Sequence, residues 1–378
     1  MKDTQFIPRI QQKKLEEKIN SNKLIIVQGP RKVGRKTLIK SILEEKNYSY
    51  SWKDCSDKKE RKWIENEHDF QSNTSQCIVL YEAQYLQNLA TIIDEVLSDK
   101  IKATLILVCS YKPQIKADLW TALRNAELIV DFYAPSFSES AQHFGLPNEE
   151  KLLEERLIFG AYPEILANRE TAESQLLTII EDAIFTNLRA GERINKEAKM
   201  MKMLRLLAFE VGNTISFNEI SERCDLDNET VERYIQLLED AFILLHIKSF
   251  HNGNRYELKK SNMVYFVDNG VRNALIQNFN GIDYRNDMDA LWKNYVISER
   301  IKWMRMNRIK NPYFFWKTHT NQQMDFLEIR DNKIFAYKTD WRKKKQLKFP
   351  KSFSESYPTA KNGVINRSTY WPFLTKKN

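Results

Sequence analysis

The chain has 378 residues, enough for two or three domains that each enclose a core. A hydrophobic content of 42% with 12% aromatics excludes a disordered chain, and no apolar run approaches the length of a membrane span. The net charge of +9 is not spread evenly: residues 331–378 carry 12 Lys/Arg against 3 Asp/Glu, so the first 330 residues are neutral.

The opening stretch Met1-Lys2-Asp3-Thr4-Gln5 lacks the apolar core of a signal peptide, and a cytoplasmic location is expected. Cys55, Cys77, Cys109 and Cys224 are scattered without a C-x-x-C pair, and His68, His143, His246, His251 and His319 are equally dispersed. Reduced thiols are expected, with neither a zinc site nor a Cys–His nucleophile.

Phe6-Ile7-Pro8-Arg9 and an amphipathic pattern at Leu15 and Ile19 precede the first strand and are expected to cap the first domain. The run Lys23 to Ile39 then reads as a buried strand, a glycine-bounded loop and a helix start. Gly29-Pro30-Arg31-Lys32-Val33-Gly34-Arg35-Lys36-Thr37 resembles the phosphate-binding loop G-x-x-x-x-G-K-[ST]. In such a loop, backbone N–H groups wrap phosphates at a helix N-terminus, the lysine reaches the β/γ-phosphates and the hydroxyl holds Mg²⁺. Here Arg35 stands at the lysine position and Lys36 at the hydroxyl position. Taking Lys36 and Thr37 as the pair instead moves both by one residue, which is about 100° of helix rotation.

Further along, Tyr48 to Trp52 reads as a short strand, Cys77-Ile78-Val79-Leu80 and Ala103 to Ser110 as buried strands, and Leu89–Leu97 as a helix. Continuous apolar strands alternating with helices indicate a parallel sheet covered on both faces. The second buried strand ends in Tyr81-Glu82, where a phosphate-loop ATPase carries an Asp for Mg²⁺ and a Glu for the attacking water. A phenol with a pKa of about 10 is neutral at pH 7 and cannot anchor a metal as an anion.

Residues 151–210 are helical by period, with Leu152, Leu153, Leu157, Leu176, Leu177 and Ile180 in the stripe. Ser216-Phe217-Asn218-Glu219 is a capping box, and Asp227-Asn228-Glu229-Thr230 opens a second helix running to about Glu239. Phe242 to Leu245 and Met263 to Val267 read as wing strands of a helix-turn-helix unit. The second helix presents Asp227, Glu229, Glu232, Glu239 and Asp240 against Arg233, which favours a structural or protein-contact role over DNA readout. Arg255, Lys259 and Lys260 are the local argument for DNA. Trp292 to Glu299 then reads as a helix, followed by strands at 313–316, 324–329 and 333–338 and by a last strand and helix.

Gly29 to Gly34, Tyr81-Glu82-Ala83-Gln84, Pro135-Ser136-Phe137-Ser138-Glu139, Gly160-Ala161-Tyr162-Pro163-Glu164 and Tyr265-Phe266-Val267-Asp268-Asn269-Gly270 occur in one order. In that order the chain resembles, over nearly its full length, a group of archaeal and bacterial AAA-type ATPases. The resemblance implies a multidomain α/β chain. Residues 1–140 would be the P-loop NTPase domain, a parallel sheet with helices on both faces, and 141–205 a helical lid. Residues 206–270 would be a winged helix, and 285–378 an α/β domain similar to PD-(D/E)XK nucleases.

Residue by residue, the resemblance implies loss. Glu82 remains of the acidic pair. Arg124 either survives as a shifted arginine finger or is an exposed arginine with no catalytic role. The nuclease positions become Lys293, Gln323-Met324-Asp325 and Ala336-Tyr337-Lys338, of which Asp325 and Lys338 remain, so metal-dependent cleavage is not expected. ATP is the cofactor the resemblance implies, and the loop substitutions argue against Mg²⁺. A scaffold or regulator acting beside a protein partner or an active relative is the expected function. The alternatives are a working ATPase using Arg35 or Lys36 with Glu82, and a nucleic-acid-binding module using Arg342, Lys343, Lys344, Lys345 and Lys348.

Overall fold

The computed structural model describes residues 7–21, 23–66, 70, 73–182, 197–251, 257–258, 261–342 and 347–375. The chain divides into two units, Met1–Pro135 with Glu181–Asn195, and Ser136–Ile180 with Lys196–Asn378.

In the first unit, β1 (Leu24–Gln28), β2 (Tyr50–Asp54), β3 (Cys77–Tyr81), β4 (Thr104–Cys109) and β5 (Ile129–Asp131) form one parallel sheet in the order β2-β3-β4-β1-β5. This is a parallel-sheet α/β fold of the P-loop type. Helices α1 (Gln11–Ser21), α2 (Arg35–Glu45), α3 (Lys58–Asn66), α4 (Leu89–Leu97) and α5 (Ala117–Asn125) accompany it. Alternation along the strands sends Leu24, Ile26, Ile78, Leu80, Leu105 and Leu107 into one core cluster with Leu89, Ile92 and Val96 of α4. Ile25, Val27 and Val79 are also buried, so the central strands read as apolar runs without period. Parallel register aligns Gln28 with Cys109 and Tyr81 with Val108. The loops after β1, β3 and β4 therefore leave from the same edge, and this brings Gly29, Glu82 and Ser110 together.

The second unit begins with α6 (Phe137–Phe144), α7 (Leu146–Lys151), α8 (Leu153–Phe159), α9 (Pro163–Ala167), α10 (Ala172–Glu181) and α11 (Glu197–Phe209). A three-stranded antiparallel sheet β6-β8-β7 takes β6 (Thr214–Ile215) from before α12 (Phe217–Cys224) and α13 (Asn228–Asp240), and β7 (Leu244–Lys248) and β8 (Asn262–Phe266) from after them. Both helices are capped from the side chain: Ser216 Oγ accepts from Glu219 N, the N-cap half of the expected box, and Asp227 Oδ1 accepts from Thr230 N at 2.7 Å. Strand β7 starts two residues later than the apolar run that begins at Phe242. Phe242 has φ 59°, because the chain is still leaving α13 there, with Phe242 N bonded to Glu239 O.

After α14 (Asn269–Leu275) come α15 (Met288–Met306), β9 (Tyr313–Lys317), β10 (Gln323–Arg330), β11 (Lys333–Thr339), α16 (Lys351–Ser356), β12 (Lys361–Ile365) and α17 (Tyr370–Thr375). These strands make the sheet β12-β11-β10-β9. The eight-residue pattern at 292–299 belongs to a helix of 19 residues. Its period is weak because Glu299, Arg300 and Lys302 are buried alongside Val296, Ile297 and Ile301. Each buried charge is matched: Arg300 meets Glu328 at 3.0 Å, and Lys302 pairs with Glu299.

Two of the sequence motifs meet in this unit as a joint, and a third is tied to α15. Asp268 caps α14 at Gly270 N (2.8 Å) and also accepts Ala161 N (2.9 Å), while Glu299 accepts Phe137 N (2.8 Å). Gly160 has φ +76°, and a Cβ there would lie 1.9 Å from Asp268 Oδ1. Gly160→Ala is therefore expected to destabilise the chain by about 1–3 kcal/mol or more in urea unfolding. An unchanged midpoint would contradict this placement of Asp268.

Candidate functional site

The loop after β1 needs its glycines for two different reasons. A Cβ on Gly29 would stand 1.8 Å from the Phe132 carbonyl oxygen, so backbone passes backbone too closely for any side chain. Gly34 has open space, its nearest neighbour being Arg9 Nη1 at 3.9 Å, but as N-cap of α2 it holds φ +94°. Arg9 was not recognised in the sequence as part of this site. Its guanidinium donates to the Val33 carbonyl at 2.9 Å and to the Tyr133 carbonyl, and lies 4.2 Å from the Phe132 ring centroid. The opening segment thus fixes the loop from behind.

Arg35, at the lysine position, turns inward and is 3% exposed. It donates to the Cys109 carbonyl, to Ser110 Oγ at 2.7 Å and to Glu82 Oε1 at 3.4 Å. Arg31 approaches the same carboxylate from the loop, with Nη2 at 3.0 Å and Nε at 3.3 Å from Glu82 Oε2, and also reaches Tyr85 Oη at 3.2 Å. Ser110 Oγ donates to Glu82 at 2.6 Å and Gln84 Nε2 donates at 2.8 Å, while Gln84 Oε1 accepts Ser110 N at 3.1 Å. Both oxygens of Glu82, itself 2% exposed, are therefore engaged by donors. Burial pushes this carboxyl up, but Arg35, then Arg31, then the bonds from Ser110 and Gln84 outweigh it and hold it below the usual range. Burial also lowers Arg35 from its ordinary value, yet a guanidinium remains charged in any protein.

The next two loop residues face the other way. Lys36 and Thr37 are exposed, and the Lys36 ammonium sits 5.7 Å from the Tyr81 ring centroid and 5.8 Å from that of Trp52. Trp52 and Tyr81 stack at 5.6 Å, and Lys40 adds a second ammonium 5.3 Å from Trp52. A lysine over aromatic faces thus stands where the motif has a hydroxyl and a carboxylate around a metal. Pro30 and Lys32 complete the loop, with Lys32 at φ 61°. Arg124, at the end of α5, is 2.8 Å from Asp131 on β5 and lies over Trp120, so its partner is local rather than Glu82.

A second carboxylate is closed in the same way in the other unit. Asp325 on β10 is 5% exposed and receives Lys293 Nζ at 2.9 Å, Gln323 Nε2 at 2.8 Å and Thr339 N at 2.8 Å. Burial pushes its carboxyl up, and Lys293, Thr339 and Gln323 together hold it below the usual range. Lys338 lines a cavity of about 410 Å³ with Asp325 and Lys348. Arg342 is engaged by Asp340 at 3.0 Å. Lys343, Lys344 and Lys345 lie outside the described residues, as do Arg255, Lys259 and Lys260. The four cysteines are buried free thiols, and among the described residues no helix is long and apolar enough to cross a membrane.

Comparison with known families agrees with the sheet and loop. Residues 21–141 match the family described as an AAA domain, which supports an AAA/P-loop ATPase family resemblance for this part of the chain. Residues 150–281 and 288–372 match two domains of unknown function, DUF8612 and DUF4143. An uncharacterized protein of Haemophilus influenzae is 24% identical over 251 residues, covering 61% of this chain and 62% of that protein. An uncharacterized protein of Mycobacterium tuberculosis is 23% identical over 134 residues, covering 34% of this chain and 29% of its own length. Among solved structures, a Walker-type ATPase of Pyrococcus abyssi aligns at TM-score 0.47 and 16% identity, covering 72% of this chain and 97% of that one. The Thermotoga maritima RuvB Holliday junction branch migration motor aligns at TM-score 0.33 and 13% identity, covering 64% and 90%.

Glu82→Gln removes the anion from between two arginines and is expected to cost about 3–5 kcal/mol at neutral pH, the usual penalty for orphaning a buried charge. Because the folded carboxyl titrates below its unfolded value, its contribution is complete above about pH 4.3 and is lost as pH falls through the depressed value. Denaturant titrations at pH 7 and in acid are therefore expected to show the gap between wild type and variant closing only at the acid end. A gap that is absent at pH 7, or that persists in acid, would contradict this.

Proposed function

We propose that this chain is an AAA-like P-loop protein that has exchanged Mg²⁺-dependent ATP hydrolysis for a scaffolding or regulatory role. One observation carries the reading: Arg35 is bonded inward to Glu82, Ser110 and Cys109. In that position it serves neither as the loop's phosphate-reaching cation nor leaves Glu82 a lone pair for water. Tyr81 beside Lys36 supports the same reading, since neither is an anionic metal ligand. ATP, if bound, would be held by the backbone of 29–34 rather than through Mg²⁺.

In the same reading, residues 206–270 act as a winged helix, which the order α12, α13, β7, β8 supports, and 285–378 as a nuclease-like domain without its chemistry. Lys293 paired to Asp325 supports the latter, because an ammonium takes the place of a metal. The carboxylates of α13 favour a protein partner over DNA, in a cytoplasmic setting.

Steady-state turnover of Mg-ATP at background level, unchanged in Glu82→Gln, is the expected result. Restoring the motif with Arg35→Lys, Lys36→Thr and Tyr81→Asp together is expected to raise the melting temperature in Mg-ATP by a few degrees, where wild type shows little shift. Wild-type hydrolysis abolished by Glu82→Gln would instead establish a working ATPase with an unusual loop.

A further inference from the structure

A cavity of about 620 Å³ in the second unit lies between α13 and the strands β7 and β9. These are outermost strands of their sheets, and they meet at Ser249 and Phe315, where Phe250 N–H donates to the Phe315 carbonyl at 2.7 Å. In an antiparallel ladder the N–H groups of alternate residues point away from the partner strand. Ser249 N–H donates to the Ser261 carbonyl on the β8 side, so His246, Lys248 and Phe250 direct theirs to the other side. Glu239 takes the His246 N–H at 3.0 Å, and Phe315 takes that of Phe250. The Lys248 N–H between them has no acceptor among the described residues, and Lys248 lines the cavity.

Helix α13 supplies the opposite wall. Glu232, Gln236 and Glu239 follow one another at helical spacing, and all three line the cavity. Glu232 is exposed and has neither a cation nor a hydrogen-bond donor beside it among the described residues. Gln236 gives its NH₂ group to Asp240 at 3.2 Å, which leaves its amide oxygen as an acceptor. One lysine stands on the lining against two glutamates, so the balance is acidic and repels a phosphate backbone. Phe217 and Phe314, both half-buried, add aromatic faces.

A main-chain donor left over on a strand edge suits a carbonyl of an extended peptide. A carboxylate and an amide oxygen beside aromatic rings suit a guanidinium, which is planar, carries five donors and stacks on such rings. We infer, on the reading of α13 as a protein-contact helix, that this cavity holds an extended segment of a protein partner with an arginine side chain set against Glu232. The site is independent of whether the loop at 29–37 takes a nucleotide.

Fluorescence anisotropy of a labelled peptide carrying a single arginine among glycines and serines, mixed with the full chain, tests this. A twin peptide with citrulline in place of arginine keeps the shape and loses the charge. The arginine peptide should bind about tenfold more tightly than its twin, the usual worth of a charge-assisted hydrogen bond. Glu232→Gln and, separately, Gln236→Lys, both at exposed positions, should remove that preference with unchanged circular dichroism. Glu222→Gln together with Glu229→Gln takes more charge from exposed positions outside the lining and should leave the preference intact. The proposal is overturned if wild type does not distinguish the two peptides, or if the preference survives Glu232→Gln. It is equally overturned if Glu222→Gln with Glu229→Gln removes the preference as fully as Glu232→Gln does, since diffuse acidity would then account for it. These results leave α13 as a protein-contact helix. A labelled duplex oligonucleotide that binds wild type and is released by Arg233→Gln would overturn that reading and the proposal together.

Discussion

A carboxylate at the mouth of a buried parallel sheet must be neutralised, and at Glu82 the chain does this with its own arginines. The geometry around that carboxylate sets everything near it: Arg35 leaves the phosphate loop, Ser110 and Gln84 turn toward β3, and Arg31 folds back from the loop onto the same oxygens. Removing Glu82 would leave the buried Arg35 guanidinium without its anion in a nearly dry site, where an unpaired ion is costly. The site is thus held as a unit, and its members cannot be exchanged singly for the residues of an ordinary phosphate loop.

Asp325 repeats the arrangement on an unrelated sheet. There Lys293 of α15 reaches β10, and Gln323 and Thr339 complete the shell around the carboxylate. A divalent metal and an ammonium or guanidinium are alternative solutions to the same electrostatic problem. The side-chain cation brings its charge permanently and covalently attached, but it brings no open coordination position and lowers no water pKa. At Glu82 two guanidiniums meet one carboxylate, and at Asp325 one ammonium does, so each carboxylate lies against a fixed side-chain cation.

Much of this fold was legible from residues alone, for physical reasons that can be named. Leu24 to Gln28 and Thr104 to Cys109 are apolar throughout because helices cover both sheet faces, and Gly29 and Gly34 mark the loop because one is crowded by Phe132 and the other is left-handed. The direction of Arg35 was not legible: spacing says which residue occupies the lysine position, not that its guanidinium points at Cys109. Nor was the full length of α15, whose charged residues look like a solvent face until their partners Glu328 and Glu299 are known. Lys293 read as a lost acid, whereas in space it is the partner of the acid that remains. The Gly160 and Asp268 motifs stand in the sequence only as marks of the resemblance, and in space they interlock with each other.

The claim on which the account rests is that Glu82 and Asp325 are occupied by side-chain cations and hold no divalent metal. Titration of the full chain with Mn²⁺, followed by electron paramagnetic resonance of the free ion, addresses both sites in one experiment. The account predicts that Mn²⁺ stays free at millimolar concentration with the native protein. Saturable loss of the free signal that is removed by Glu82→Gln or by Asp325→Asn would contradict it.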